Sequence, residues 1–213
     1  MHGSLDFSGK VVVVTGADSN LGSRIAEYFL AAGAAVAAIV SNASATPIGS
    51  AALYPCDPMD FEQMAAVVEQ IRASLGRIDT LVIAGGNATE NNSEGVIQQR
   101  LVAPLNASQL VNRVMREQPT GGSIIYLTGN PARGGEAFAP ASSAASAGIR
   151  NLVTSLAVEW APGVRVNAVD TATPSTLAKD ICNACLFLAS DLSAYVSGSC
   201  VLPGSRAIAD SCL

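Results

Sequence analysis

The sequence predicts an α/β fold in which helices cover both faces of a parallel β-sheet. Two observations support this prediction. Short, continuous apolar runs alternate with longer amphipathic segments along the whole chain, and no segment is repeated. The predicted strands are residues 11–15, 35–40, 52–54, 80–84, 123–128, 164–169 and 200–202. At 213 residues the chain is expected to form one domain, 1–213, with residues 1–9 as an N-terminal leader.

The segments between the strands carry apolar residues at helical spacing, and several have recognisable ends. The predicted helices are residues 21–32, 61–75, 96–115, 142–160 and 176–189. Gly33 follows the first helix as a C-terminal cap. Asp60 precedes the second, with Gln63 three residues later, which is the pattern of a capping box. These signals predict alternating strands and helices, as in a doubly wound sheet.

Composition excludes several classes of protein. Apolar residues make up 49% of the chain and charged residues 14%, with a net charge of −5 and a mean hydropathy of +0.36. The negative charge argues against nucleic-acid binding. No apolar run approaches the roughly 20 residues needed to cross a bilayer, and no signal peptide is visible, so we expect a cytoplasmic protein. The high apolar content favours large buried faces, including contacts between subunits.

Cysteine and histidine usage indicates no metal site. The five cysteines lack the spacing of a disulfide framework. Cys182 and Cys185 form a CxxC pattern, but they lie within a helical apolar stripe and have no second ligand pair, which favours packing in the core. His2 is the only histidine and stands in the predicted leader.

The segment SAGIRNLVTSLAVEWAPGVRVNAV, residues 146–169, resembles the active-site helix and following strand of the short-chain dehydrogenase/reductase (SDR) family. The resemblance extends over nearly the whole chain. It implies a Rossmann-like sheet of about seven strands in the order 3-2-1-4-5-6-7. It also implies NAD(P)-dependent chemistry, in which a tyrosine exchanges a proton and a lysine one helical turn later stabilises the phenolate.

The catalytic positions implied by the resemblance hold other residues here. The tyrosine position falls on Ser143 and the lysine position on Ala147, neither of which can do that chemistry. The family's catalytic asparagine falls on Arg100, and its serine falls near Gly129 or Asn130. The sequence therefore predicts no catalytic residues of the family type.

The implied cofactor positions are only partly kept. In the glycine pattern TGxxxGxG, Gly16 and Gly22 match, but the middle glycine is Asn20, whose side chain is expected to occupy space that the phosphate needs. The residues after strand two, Val40 and Ser41, include no ribose-binding carboxylate. Asp57 matches the adenine-contacting aspartate, with a local capping or turn role weighed as an equal alternative. Other family positions are changed as well, at residues 83–86 and 171–172. We therefore expect no cofactor bound by this chain.

Three functions follow from this pattern. The first is a catalytically inactive subunit that stabilises an oligomer with an active SDR. That partner would bind NAD(P) and act on a hydroxyacyl-CoA or a related hydroxy or keto compound. A homo-oligomer of this chain is the alternative assembly. The two long helices form the subunit contact in the family, and both are present. The second is a regulator that senses a nucleotide or small molecule in a residual cleft. The third is an enzyme with rebuilt chemistry through Tyr126 or Lys179.

Overall fold

The computed structural model describes residues 5–42, 45–85, 92–129, 139–171 and 178–204. Residues 1–4 of the predicted leader, with His2, lie outside these ranges, but the leader does not extend to residue 9 as expected. The side chain of Phe7 is 3% exposed and packs edge-to-face on Phe29, with ring centroids 5.1 Å apart. The Phe7 amide donates to the carbonyl of Ala32 at 2.8 Å. The chain thus joins the core from about Phe7 onward.

Seven parallel strands form one sheet in the order β3-β2-β1-β4-β5-β6-β7, which confirms the predicted fold class and strand order. The strands are β1 Val11–Thr15, β2 Ala35–Val40, β3 Ala52–Pro55, β4 Thr80–Ile83, β5 Gly122–Thr128, β6 Val164–Asp170 and β7 Cys200–Val201. The central strands are mostly apolar and buried because helices cover both faces of the sheet. The strand order reverses direction between β1 and β4, which is where ligands bind in open α/β sheets.

The helices are α1 Asn20–Ala31, α2 Phe61–Leu75, α3 Ser93–Ile97, α4 Ala103–Glu117, α5 Pro140–Glu159 and α6 Ala178–Ala189. Asp60 caps α2, and its carboxylate accepts from both the amide and the side chain of Gln63, so the predicted cap is confirmed. The single long helix expected at 96–115 is instead α3 and α4 joined by a π-helical turn, Gln98–Val102. Such turns are frequent at functional sites.

Each face of the sheet has its own apolar core. Helices α2, α4 and α5 cover one face, and the buried stripe of α5 includes Ile149, Val153, Leu156 and Trp160. Helices α1 and α6 cover the other. Cys182 and Cys185 are free and buried in this second layer, as core packing requires.

The structure bears on two further expectations. No helix within the described ranges is long and apolar enough to cross a membrane. In the same part of the chain, no three His, Cys, Asp or Glu side chains are grouped as a metal ion would need.

Candidate ligand-binding cleft

Two adjoining cavities lie at the carboxyl ends of the strands, beside the point where the strand order reverses. The larger, of about 510 Å³, extends toward β2 and β3, and the smaller, of about 210 Å³, extends toward β5 and α5. They share the lining residues Ser19, Ile83, Gly85 and Pro104. Together they form one cleft with two ends, and the predicted site residues distribute between these ends.

The turn between β1 and α1 forms the wall nearest both cavities. The hydroxyl of Ser19 donates to the carbonyl of Gly16 at 2.7 Å and accepts from the amide of Gly22 at 3.0 Å, which caps α1. Gly16 has a φ of +61°, and a Cβ on Gly22 would lie 2.2 Å from the Gly16 carbonyl oxygen. Both glycines are therefore required by the turn itself. Asn20 begins α1, is exposed and lines neither cavity, so the expected obstruction by its side chain is not seen.

Asp18 is a functional candidate that the sequence analysis missed. Its carboxylate accepts hydrogen bonds from the amide of Ser41, at 3.0 Å, and from the Ser41 hydroxyl. It therefore lies at the end of β2, where Val40 and Ser41 offer no carboxylate of their own. The available signal was the parallel pairing of β1 with β2, because it brings the turn after Thr15 beside the residues after Ile39.

Asp57 makes the local contacts of a turn residue and also lines the larger cavity. Its carboxylate accepts from the amide of Met59 at 2.9 Å, and its own amide donates to the side chain of Gln63 at 3.3 Å. The local turn role that was the alternative for Asp57 is therefore observed. Its exposed carboxylate still leaves the adenine-contacting role open.

The larger cavity suits a nucleoside, the uncharged part of a dinucleotide, better than the phosphates. Its floor is apolar, with Ile39, Met64 and Ala107 among the lining residues, and its mouth carries the carboxylates of Asp18 and Asp57. Ribose hydroxyls can donate to such carboxylates, but no lysine or arginine of the described residues lines the cavity to neutralise a phosphate. In addition, the Gly22 amide at the helix N-terminus is already occupied by Ser19.

The smaller cavity brings together Arg100, from the π-helical turn, and Gly129, which follows β5, as the sequence predicts. Thr128, Ser146 and Tyr126 line it as well, and neither Asp nor Glu does so among the described residues. The two ends of the cleft therefore carry side chains of opposite charge. It holds a cation and hydroxyl groups, whereas the mouth of the larger cavity holds two carboxylates.

Comparison with known proteins identifies the family. Residues 10–181 match the family model described as short chain dehydrogenase. The chain belongs to the SDR family. It is 30% identical to the 3-oxoacyl-(acyl-carrier-protein) reductase of Escherichia coli, over 91% of this chain and 95% of that protein.

Solved structures agree with this assignment. The chain superposes on a citronellol catabolism dehydrogenase of Pseudomonas aeruginosa with a TM-score of 0.82 and 30% identity, covering 92% of this chain and 93% of that one. A short chain dehydrogenase from Mycobacterium smegmatis gives a TM-score of 0.87 at 25% identity, covering 97% and 96%.

Helix α5 contains the segment that resembles the family's active-site helix, and the structure gives it a register one residue different from the predicted one. Ser146 is 6% exposed and lines the smaller cavity, whereas Ala147 is exposed and, like Ser143, does not line it. The cleft-facing residue is thus Ser146, and Ser142 lies one turn before it. The positions predicted from the sequence, Ser143 and Ala147, are each one residue beyond those that this register indicates. In this register the two positions hold Ser142 and Ser146.

A tyrosine–lysine pair with the family's spacing does not occur elsewhere in the sequence. Its four tyrosines are Tyr28, Tyr54, Tyr126 and Tyr195, its lysines are Lys10 and Lys179, and no tyrosine is followed by a lysine four residues later.

The two residues considered for rebuilt chemistry do not suit it. Tyr126 is buried and donates to the hydroxyl of Ser108 at 2.5 Å. Burial raises the pKa of Tyr126, although the Ser108 hydrogen bond opposes this effect, so the phenolate is disfavoured at neutral pH. Lys179 is exposed on α6, on the face of the sheet opposite α5.

Proposed function

We propose that this SDR chain is a non-catalytic subunit that stabilises an oligomer. One observation carries the proposal: Ser146 lines the cleft from α5 and Ser142 precedes it by one turn, at the positions where the family's chemistry needs a lysine and a tyrosine. A serine hydroxyl is too weak an acid to replace the phenol, and it cannot supply the positive charge that lowers a phenol's pKa.

The proposed partner is an active SDR, which would bind NAD(P) and carry out the reaction. A relative of this chain is a reductase of 3-oxoacyl groups carried on a protein. We therefore propose that the partner acts on a related keto or hydroxy acyl compound. A second copy of this chain is the alternative partner.

The outer face of α5 suits a close contact with another helix. Ala144, Ala147, Asn151 and Thr154 are exposed along it, and they are small or uncharged. On the inner side, Gly148 lies against Leu101, where an added Cβ would come within 3.1 Å of the leucine side chain. Small residues therefore occur on both sides of this helix, and the outer ones would let a neighbouring backbone approach.

Replacing Ala147 with glutamate tests the subunit contact. We expect Ala147→Glu to weaken association roughly 100-fold or more, since it places an unpaired charge in a contact that excludes water. The circular dichroism spectrum and melting temperature should change little, because Ala147 is exposed within the subunit. Light scattering across a dilution series measures the mass.

The matched control is Asn183→Glu, which adds the same charge at an exposed position of α6, on the opposite face of the sheet. It should leave the mass unchanged. A wild-type chain that stays monomeric at high concentration, both alone and when produced together with an active SDR of the same organism, would contradict the proposal.

A ligand-sensing regulator is the second candidate, and the larger cavity favours it. That cavity has a volume of about 510 Å³, and two carboxylates, Asp18 and Asp57, line it. A molecule with hydroxyl or amino donors, and no phosphate near Asp18, would suit it.

Calorimetric titration with NADH and NADPH separates the two candidates. We expect micromolar binding of neither, and NADPH should be the weaker, because its extra phosphate would meet Asp18 and Asp57 without a lining cation. Micromolar binding of NADH that is lost in Asp18→Asn but kept in Glu27→Gln, an exposed change on α1, would instead support the regulator.

A further inference from the structure

We propose that the smaller cavity is a binding site for a small carboxylate, held by Arg100 and Thr128. This proposal does not depend on the subunit role, because it concerns only what the cleft of this chain can hold. It rests on two polar side chains that line the same cavity and leave hydrogen-bonding groups unused.

Arg100 is partly buried, and no carboxylate of the described residues forms an ion pair with it. Its Nε is buried and has no hydrogen-bond partner among the described residues. The ion pairs among the described residues use Lys10, Arg72 and Arg77, and none of the described carboxylates lines the smaller cavity. Removing a guanidinium from water without a partner costs free energy, so a bound anion would recover part of that cost.

Thr128 supplies the second unused group. It is 3% exposed, and its Oγ1 is buried without a hydrogen-bond partner in the described structure. Its carbonyl already has partners, because it accepts from the amide and the hydroxyl of Thr171 at 2.8 and 2.9 Å. The hydroxyl alone is therefore left to serve a ligand in the cavity. Ser146, at 6% exposure, adds a further hydroxyl to the same lining.

The shape and polarity of the cavity select a carboxylate with a short aliphatic chain. A guanidinium presents two parallel N–H groups that match the two oxygens of a carboxylate, and a hydroxyl can donate a further hydrogen bond to the same group. Leu21, Ile83 and Ile149 line the rest of a space of about 210 Å³, which suits a few carbon atoms. The carboxylates of Asp18 and Asp57 line the adjoining cavity and would repel the anion from that end.

Binding of sodium butyrate to the purified protein tests this site, with butyramide as a neutral probe of nearly the same shape. At constant ionic strength and pH 7, butyrate should raise the melting temperature and give a measurable dissociation constant by calorimetry, and butyramide should do neither. Arg100→Gln should weaken butyrate binding by about tenfold to a hundredfold, because a charge-assisted pair is lost. Arg113→Gln, an exposed change on α4, should bind as the wild type does.

Thr128→Val keeps the shape of the side chain and removes the hydroxyl, so it provides a second test if Arg100→Gln folds poorly. It should weaken butyrate binding roughly threefold to tenfold. Equal binding of butyramide, undiminished butyrate binding in both variants, or no butyrate binding by the wild type would each overturn the proposal. Binding of inorganic phosphate that depends on Arg100, without binding of butyrate, would also overturn the assignment to a carboxylate.

Discussion

Gly121→Ala is expected to remove a large part of the stability of this protein. Gly121 has a φ of +61°, and a Cβ at this position would lie 1.7 Å from the carbonyl oxygen of Gly163. That oxygen accepts a hydrogen bond from the amide of Gly122 at 3.1 Å, beside the first paired residues of β5 and β6. The obstacle is backbone, so it cannot move aside as a side chain would.

The expected loss in the free energy of unfolding has two causes. A left-handed backbone costs a non-glycine residue about 1–3 kcal/mol, and forcing an extra methyl into a packed site costs typically about 1–3 kcal/mol more. A free energy of unfolding is only about 5–15 kcal/mol for most domains. Urea titration followed by circular dichroism should therefore show a loss of several kcal/mol.

Gly76→Ala is the matched control, because Gly76 has a similar φ of +78° but nothing within 4 Å of the added Cβ. It should lose about 1 kcal/mol, from backbone conformation alone. Similar losses in the two variants would show that the contact with Gly163 does not limit stability.

The strands could be predicted from the sequence because their apolar runs are continuous and bounded by turn residues. The predicted and observed strand bounds differ by no more than one residue. The π-helical turn at Gln98–Val102 could not be predicted in this way. Its side chains continue the helical pattern on either side, and only the backbone hydrogen bonds distinguish it.

The site was less accessible to sequence analysis than the fold. Arg100 and Gly129 line the same cavity, and their apolar neighbours allow both to be located from the sequence, Arg100 between α3 and α4 and Gly129 directly after β5. The predicted alignment of α5 with the family's active-site helix was one residue off, because this part of the helix is a run of small residues in which neighbouring alignments are hard to distinguish. The buried Ile149 and Val153 do point to the observed register, since a helical stripe extended back from them reaches Ser146 and not Ala147. Asp18 could have been identified, because the strand order implied by the resemblance already places the turn after β1 beside the end of β2; only the structure shows that its carboxylate reaches Ser41.

Restoring a tyrosine and a lysine in the correct register is expected not to restore hydride transfer. The variant is Ser142→Tyr with Ser146→Lys, and both it and the wild type should consume NADH or NADPH no faster than a protein-free mixture. A positioned acid or base contributes roughly 10²–10⁴-fold to a rate, but only when the groups around it hold the substrate and pass the proton. Gly129 has no hydroxyl to hold a carbonyl, and Arg100 remains charged and cannot accept a proton.

The assay would follow nicotinamide absorbance with a 3-oxoacyl thioester and a panel of simple ketones. Ser143→Tyr with Ala147→Lys makes a matched control, because it adds the same side chains one position further along α5, where the lysine would replace the exposed Ala147 and not Ser146, which lines the cleft. Turnover by the wild type would contradict the non-catalytic role directly. Turnover by Ser142→Tyr with Ser146→Lys, but not by the control, would show that the two serines alone prevent catalysis. Arg100 and Gly129 would then be compatible with the family's chemistry.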